Sequence, residues 1–307
     1  MVRHTGGSDM ALNVTKVVKK FGDLTAVDCA SFTMESPGVF GLLGTNGAGK
    51  TTMIRMILGI LQKDAGEITW DGQPVTRETV NFGYLPEERG IYPKAKVREQ
   101  LMYFARLRGM DRASARTSLT YWLERLHVEE YADTVAEKLS KGNQQKIQVI
   151  SSLIHNPELV ILDEPFSGLD PVNTDILKQV ITDLIQEGKY IIMSTHQMST
   201  VEEFCNQILI LHAGKTVIAG DLKQIKNGYG RTNLSIECDD DIETFARAEG
   251  LSTLQKTANG YEFKITSDDQ AYRLLHRIMA SDVRLDKFEI REPSLHEIFV
   301  DKVGVKQ

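Results

Sequence analysis

The sequence predicts an α/β domain interrupted by a helical block and followed by a smaller α+β domain. Three observations carry this reading. Residues 11 to about 220 alternate short apolar runs with longer patterns of helical period, as an α/β layer architecture requires. One such run, GVFGLL (Gly38 to Leu43), leads directly into GTNGAGKTT (Gly44 to Thr52). That segment fills every fixed position of the phosphate-binding pattern G-x-x-x-x-G-K-[ST]. From about Asp221 the order becomes strand, helix, strand, strand, helix, strand, which is the split-βαβ arrangement of a ferredoxin-like unit.

Along the chain, residues 1–10 (MVRHTGGSDM) lack the apolar core of a signal peptide. They read as a flexible leader, with Met10 as an alternative start. LNVTKVVKKF and SFTMES are expected as the first strands, with GVFGLL, a buried-strand run, as the third. In the loop that follows, glycine at positions 44, 47 and 49 permits torsions that side chains forbid. Successive N–H groups across Gly44, Thr45, Asn46, Gly47, Ala48 and Gly49 can then turn inward around a phosphate. Lys50 reaches the β- and γ-phosphates as a point charge, and the Thr51 hydroxyl can ligate Mg²⁺. Thr52 and MIRMILGIL are expected to form a helix whose N-terminal dipole favours the anion.

GEITWDG and NFGYLP are the next strands, and the stretch from Val97 to Ser140 is expected to be wholly helical. Leu101, Phe104, Ala105 and Arg108, then Leu119, Trp122, Leu123 and Leu126, recur there at helical spacing. ELVILDEP and KYIIMSTH return to buried strands. Asp163 ends the first of these, where it can hold Mg²⁺ through water, and Glu164 can polarise an attacking water as a general base. Read alone, Asp163-Glu164-Pro165 would be a helix-start or turn cluster; beside a phosphate loop the two carboxylates have a cation and a phosphate to serve.

The second domain, 221–307, contains none of these motifs. In YEFKIT, Tyr261, Phe263 and Ile265 share one face, ready for cover by helices bearing Phe245, Leu274, Leu275 and Ile278. Asn259-Gly260 signals a hairpin. Ser294 caps a last helix whose Leu295, Ile298, Phe299 and Val303 form one apolar stripe. That stripe is expected to support dimerisation, or else to fold back onto its own chain.

Composition narrows the function. A hydrophobic share of 41% with 25% charged residues describes a folded globular chain, and a net charge of -6 argues against nucleic acid as a partner. No run approaches the length needed to cross a bilayer. Cys29, Cys205 and Cys238 are scattered and odd in number, as expected for reduced thiols of a cytosolic protein.

Between the two motifs lies LSKGNQQK (Leu139 to Lys146), which resembles the LSGGQ sequence of ATP-binding cassette (ABC) ATPases. Ser140 is a natural N-cap and Gly142 permits close approach, so the motif opens a helix that offers N–H groups to an anion. Lys141 and Asn143 depart from the family pattern. Lys141 is either a solvated surface lysine or an added charge beside the nucleotide of an opposing subunit. The resemblance spans residues 11–220, with a helical subdomain at about 95–150, and implies a P-loop NTPase cassette that binds and hydrolyses ATP with Mg²⁺. It also implies roles for single residues. Phe21 would stack on adenine, although read alone it is a core or strand-end phenylalanine. Asp170, in Ser167-Gly168-Leu169-Asp170, would couple two sites across a dimer. His196 would contact the γ-phosphate, where a lone histidine could equally be structural. Glu87 stands where the family usually has a glutamine linking Mg²⁺ to the membrane partner; it can still ligate metal but cannot donate as an amide does.

YLPEERGIYPK and the terminal EPSLHEIF are similar to a bacterial exporter subgroup that includes sodium-extrusion ATPases. The implied protein is the ATP-hydrolysing subunit of an ABC exporter, cytoplasmic and peripheral on the inner face of the cell membrane. It would close head to tail with a second cassette, identical or related, and drive a separate permease. Glu88, Arg89 and Tyr92 are contact candidates for that permease, or simply solvated. The rival readings are an ABC ATPase acting on nucleic acid or ribosomes, and a non-transport regulatory ATPase.

Overall fold

Backbone pairing in the computed structural model gathers ten strands of the larger unit into one mixed sheet. The structure describes residues 12–304 except 77, 89 and 258, so the expected leader (1–10) and Arg89 lie outside the described residues. Strands β1 (Leu12–Phe21) and β2 (Leu24–Met34) form an antiparallel hairpin closed by Gly22-Asp23. The second strand was expected only from Ser31; it starts earlier because pairing begins at once with Phe21 opposite Leu24, and it stops at Met34. Irregular register along this hairpin, with Cys29 in the left-handed region, hides the strand's alternation in the sequence.

Strand β3 (Gly38–Gly44) enters the phosphate loop, and helix α1 follows as Lys50–Ile57. The helix thus begins two residues before the expected Thr52 and stops well short of Leu61. Gly49 caps its start in a left-handed conformation. After α1 come β4 (Ala65–Trp70), the two-residue β5 (Gln73–Pro74) and β6 (Phe82–Leu85).

The segment expected to be continuously helical contains α2 (Val97–Leu107) and α3 (Arg112–Arg125), followed by two single 3₁₀ turns at Glu129–Tyr131 and Ala136–Lys138. A lone bridge of Lys96 to Val135 ties that irregular stretch back to the start of α2. Asp111 caps α3 by accepting from the Ala113 and Ser114 N–H groups. Buried Leu101, Ala105, Leu119, Leu123 and Leu126 are the positions whose spacing signalled helix. Helix α4 (Lys141–Leu153) leads to β7 (Leu159–Asp163), α5 (Pro171–Gln186), β8 (Tyr190–Thr195), α6 (Met198–Phe204), β9 (Gln207–His212) and β10 (Lys215–Asp221).

The sheet order is β5-β4-β1-β2-β10-β9-β3-β8-β7-β6. Strands β9, β3, β8, β7 and β6 run parallel, with Leu42 opposite Ser194 and Asp163 opposite Ser194 across the shared neighbour β8. Their carboxyl ends therefore lie side by side, which is where open α/β sheets collect ligands. The core against this sheet joins Leu42, Ile54, Ile57, Ile161, Ile192 and Leu209, all fully buried.

The chain divides into compact units between Ala219 and Gly220. The second holds α7 (Leu222–Tyr229), β11 (Asn233–Cys238), α8 (Glu243–Ala248), β12 (Ser252–Thr257), β13 (Gly260–Lys264), α9 (Asp268–Met279), β14 (Leu285–Arg291) and α10 (Leu295–Val303). Its four antiparallel strands order as β12-β13-β11-β14, the ferredoxin-like arrangement. Tyr261, Phe263 and Ile265 are buried with Leu234, Ile236, Leu274 and Ile278 in a core of its own. Asn259-Gly260 sits one place late as a turn signal, since Gly260 already pairs with Thr257 and position 258 is outside the described residues. Leu295, Ile298 and Phe299 of the final stripe are buried within this chain, so the stripe is not a free face for a dimer. Ser294 and Glu297 close that helix with a reciprocal capping box.

Two outcomes follow from this packing. Gly83 of β6 lies so close to α4 that an added Cβ would stand 2.1 Å from the Ser152 carbonyl oxygen. Gly83→Ala should cost about 1–3 kcal/mol as overpacking, seen as a lowered thermal midpoint. Gly228→Ala, in open space on α7, should not lower it. Because each unit has a separate core, a chain ending near Ala219 should remain folded and bind ATP, checked by thermal unfolding and nucleotide titration.

Candidate functional site

The carboxyl ends of β3, β7 and β8 deliver the reactive side chains to one place. Gly44 ends β3 with its backbone against Leu211 of β9; a Cβ there would lie 2.4 Å from the Leu211 carbonyl oxygen. Gly49, with φ of 109°, is pressed as closely against the Ala26 carbonyl oxygen of β2. The two glycines therefore answer to neighbouring strands as well as to a phosphate. Lys50 is almost fully buried, and its Nζ donates to the Gly44 carbonyl oxygen at 2.8 Å and, more weakly, to that of Thr45 at 3.4 Å.

A cavity of about 640 Å³ opens over this loop. It brings together Phe21, Asn46, Gly47, Ala48, Gly49, Lys50, Thr51, Thr52 and Glu87 from distant parts of the sequence. Phe21 is half exposed there, with the Lys19 ammonium 5.4 Å from its ring centroid, so an aromatic face is available for stacking. Leu24, Thr25, Ala26, Ala213 and Gly214 also line the cavity. Sequence reasoning missed them, since small and aliphatic residues of strand ends have no chemical signature of their own.

Behind the loop, Asp163 is buried at the end of β7. Its Oδ2 accepts from the Thr51 hydroxyl at 3.3 Å and its Oδ1 from the Ser194 hydroxyl at 2.5 Å. Burial raises the Asp163 pKa above the usual carboxylate range, while the Ser194 and Thr51 bonds act in the opposite sense. Among the described residues no three His, Cys, Asp or Glu side chains form a metal cluster. Thr51 and Asp163 nevertheless present hard oxygen atoms side by side next to a phosphate loop, a donor set that fits Mg²⁺ completed by water and phosphate oxygens.

Glu164 stands next, buried, with its backbone in the left-handed region at φ 49° and its N–H donating to the Ser194 carbonyl oxygen. A non-glycine residue held there is strained, and such strain concentrates at functional positions. Its Oε1 lies 2.8 Å from His196 Nδ1 and 3.8 Å from Lys50 Nζ, and its Oε2 accepts from the Thr195 hydroxyl at 3.1 Å. The His196 side chain is half exposed. Ser194 and Thr195 were not singled out from the sequence, although two hydroxyl residues ending an otherwise apolar buried strand were a legible signal. Tyr84 of β6 was also missed: burial first, and then the Asp163 charge, push its phenol up to about 12.

Ser140, Gly142 and Asp170 do not line this cavity. Ser140 caps α4 by accepting from the Asn143 N–H at 3.2 Å. Asp170 caps α5, accepting from the Asn173 N–H at 2.9 Å, and the Asn173 backbone and side-chain bonds hold its carboxyl below the usual range. A Cβ on Gly142 would meet the Asn173 amide at 2.9 Å and Asp170 at 3.8 Å. The LSKGN and SGLD segments thus meet each other; like Asp163, Glu164 and His196, they are not part of the cavity lining. Lys141 and Glu88 are exposed, as is Tyr92.

Residues 27–167 match the ABC transporter family, and residues 220–303 match the C-terminal domain of DrrA1-3-like ATP-binding proteins. The uncharacterized ABC transporter ATP-binding protein YhaQ of Bacillus subtilis (strain 168) is 48% identical over 294 residues, spanning 95% of this chain and 98% of its own. Nod factor export ATP-binding protein I of Paraburkholderia xenovorans (strain LB400) is 35% identical over 216 residues, spanning 69% and 71%. Among solved structures, that of the ATP-binding subunit of an ABC transporter aligns with a TM-score of 0.65 at 28% identity, covering 72% of this chain and 93% of that one. Similarity of this degree over nearly the whole of two chains leaves one family for the phosphate loop and its buried carboxylates to serve: the chain belongs to the ATP-binding proteins of ABC transporters, cassettes that bind and hydrolyse ATP.

Proposed function

We propose that this chain powers export through a separate membrane permease, by closing head to tail with a second cassette around two ATP molecules. The observation that carries the dimeric part is the separation just described. The N-terminus of α4 and Asp170 do not line the chain's own nucleotide cavity; in this reading the start of α4 serves the nucleotide of an opposing copy, identical or related, and Asp170, braced by Asn173, couples the two sites. The export part draws on the Nod factor export relative, and the peripheral location at the inner membrane face on the ABC transporter membership. No helix among the described residues is long and apolar enough to cross a membrane, in keeping with a pore built by another chain. The net charge of -6 disfavours nucleic acid as the partner.

In this reading Phe21 stacks on adenine while the N–H groups from Gly44 to Thr52 cradle the phosphates. Lys50 leaves the Gly44 carbonyl to neutralise the β- and γ-phosphates. Thr51 and Asp163 would hold Mg²⁺, with Glu87, which lines the cavity beside them, as a further metal candidate. Bound Mg²⁺ supplies charge neutralisation on the transferring phosphoryl group. Glu164 orients the attacking water and takes its proton, its carboxylate set by Thr195 and strained backbone. His196, half exposed beside it, contacts the γ-phosphate.

A groove of about 700 Å³ between the end of β6, α2 and α4 suits the permease. Ile60 and Leu107 are exposed at its wall, and Gln148 Nε2 donates to the Pro86 and Glu88 carbonyl oxygens, bracing the loop that bears Glu87. An apolar helix seated there would press on the same loop that reaches the nucleotide cavity.

Glu164→Gln should bind ATP normally, lose hydrolysis by orders of magnitude, and collect as an ATP-bound dimer visible as a doubled solution mass. Wild-type turnover in that variant would remove Glu164 from the reaction. Lys50→Ala should lose nucleotide affinity itself, measured by titration. Assayed with the permease, Glu87→Ala should bind ATP but lose permease-stimulated turnover and transport, whereas Glu87→Gln, equal in length and keeping one acceptor oxygen, should retain both.

A further inference from the structure

Two charged side chains at the end of β1, Lys19 and Asp64, have no part in the reading above, yet they meet at Phe21. Strand β1 pairs with β4 as far as Val18 opposite Ala65. Asp64, the residue just before β4, continues the contact beyond that point. Its N–H donates to the Val18 carbonyl oxygen at 2.9 Å, and its Oδ2 accepts from the Lys20 N–H at 2.6 Å. Its Oδ1 accepts from the Lys19 ammonium at 3.0 Å. The Lys20 and Lys19 bonds hold the Asp64 carboxyl below the usual range, so it is an anion at neutral pH. Phe21 follows directly and pairs with Leu24 across the Gly22-Asp23 turn.

The ammonium fixed by Asp64 is the one that lies 5.4 Å from the Phe21 ring centroid, within the range of a cation–π contact. The two side chains differ in their access to solvent. Lys19 is 12% exposed and does not line the nucleotide cavity, whereas Phe21 is 49% exposed and does. The cation therefore lies on the protein's side of the ring and leaves the cavity side to a base. An ion pair with a partly exposed carboxylate adds little to stability. Its bearing on the site is geometric: the backbone before Phe21 is tied through Lys20, and the ring itself through Lys19.

We propose that Lys19, anchored by Asp64, is a positioning residue for the nucleobase: its ammonium holds the Phe21 ring, from the side away from the cavity, in the plane on which adenine stacks. This rests on the assignment of Phe21 as the stacking residue. Neither Lys19 nor Asp64 touches the phosphates in this scheme, so their loss weakens the share of affinity that comes from the base and spares the share that comes from the diphosphate.

The test uses the full chain and reads, by calorimetry in Mg²⁺, its affinity for ADP and for inorganic pyrophosphate, which has no base. Lys19→Met keeps the length of the stem and removes the charge. It should weaken ADP by about threefold, the scale of one partly exposed cation–π contact, and leave pyrophosphate unchanged. Asp64→Ala should do the same, and Lys19→Arg, which keeps a cation against the ring, should bind ADP as the wild type does. Unchanged ADP affinity in Lys19→Met overturns the proposal. So does an equal loss for ADP and pyrophosphate, which would make Lys19 a remote charge acting on phosphate. Phe21→Leu is the control for the underlying assignment and should weaken ADP by about tenfold, as loss of a base–aromatic stack does. If it does not, Phe21 is not the base's partner; if it does while Lys19→Met binds ADP normally, only the role of Lys19 is lost. Adding Lys19→Met to Phe21→Leu should cost nothing further, and a repeated threefold loss there would show that Lys19 does not act through the ring.

Discussion

Two carboxylates end a strand that is otherwise apolar and wholly buried, and the arrangement of the larger unit turns on giving them partners. Burying Asp163 and Glu164 without hydrogen bonds or counter-charge would cost several kcal/mol each. The partners come from the adjacent strand β8 and from the segment that follows β3, the strand beyond it. Strand β8 supplies the Ser194 and Thr195 hydroxyls and, just past its end, His196. The first turn of α1, which follows the loop after β3, supplies Thr51 and Lys50. A one-residue slip of β8 against β7 would turn Ser194 away from Asp163 and point its whole set of side chains to the opposite face. Register in this sheet is therefore a condition of the site as much as of the core.

The same constraint explains why Lys50 and Glu164 lie 3.8 Å apart with both side chains buried. Each charge is of the kind a bound nucleotide requires: a cation for phosphate oxygens, a carboxylate for the attacking water. In this structure they steady one another, with the Gly44 carbonyl and His196 sharing the load. In the proposed reaction a phosphate entering the loop would compete with Glu164 for Lys50 and so release the carboxylate to act on water. The left-handed backbone of Glu164 sits just past the end of β7, a strained conformation for a residue with a side chain.

The second unit is built on different terms. Its four-stranded sheet is covered by α8 and α9 through Ala246, Ala271, Leu274 and Ile278. Its polar order comes from the Glu297 carboxylate, which bonds Ser294, Arg291 and Asn233 and titrates at about 2, the Arg291 and Ser294 bonds outweighing burial. A carboxyl depressed in the folded state contributes stability above the ordinary glutamate range that is lost as pH falls toward 2. That network closes the start of α10 rather than building a catalytic site, and the DrrA1-3-like match assigns the unit to a type of appendage carried by ATP-binding proteins.

The amino-acid sequence by itself determined the class of ligand and the order of the elements that carry its motifs, but not α7, β9 or β10. GTNGAGKTT is legible because only glycine tolerates those torsions and approaches, and because lysine and threonine at fixed offsets answer to phosphate and metal. LVILDEP and the alternation of YEFKIT are legible because burial imposes a period that the residues must obey. What the sequence concealed depends on distance through space. The extent of β2 is set by pairing with β1 across bulges, the start of α1 by a left-handed Gly49, and the irregular stretch after α3 by a bridge back to Lys96. Ser194 and Thr195 reach the carboxylates only because β7 and β8 lie adjacent in this register, though they are far apart along the chain. The stripe on α10 reads as a free apolar face in one dimension and is buried in three, since helical period reveals that a face is apolar but not what covers it.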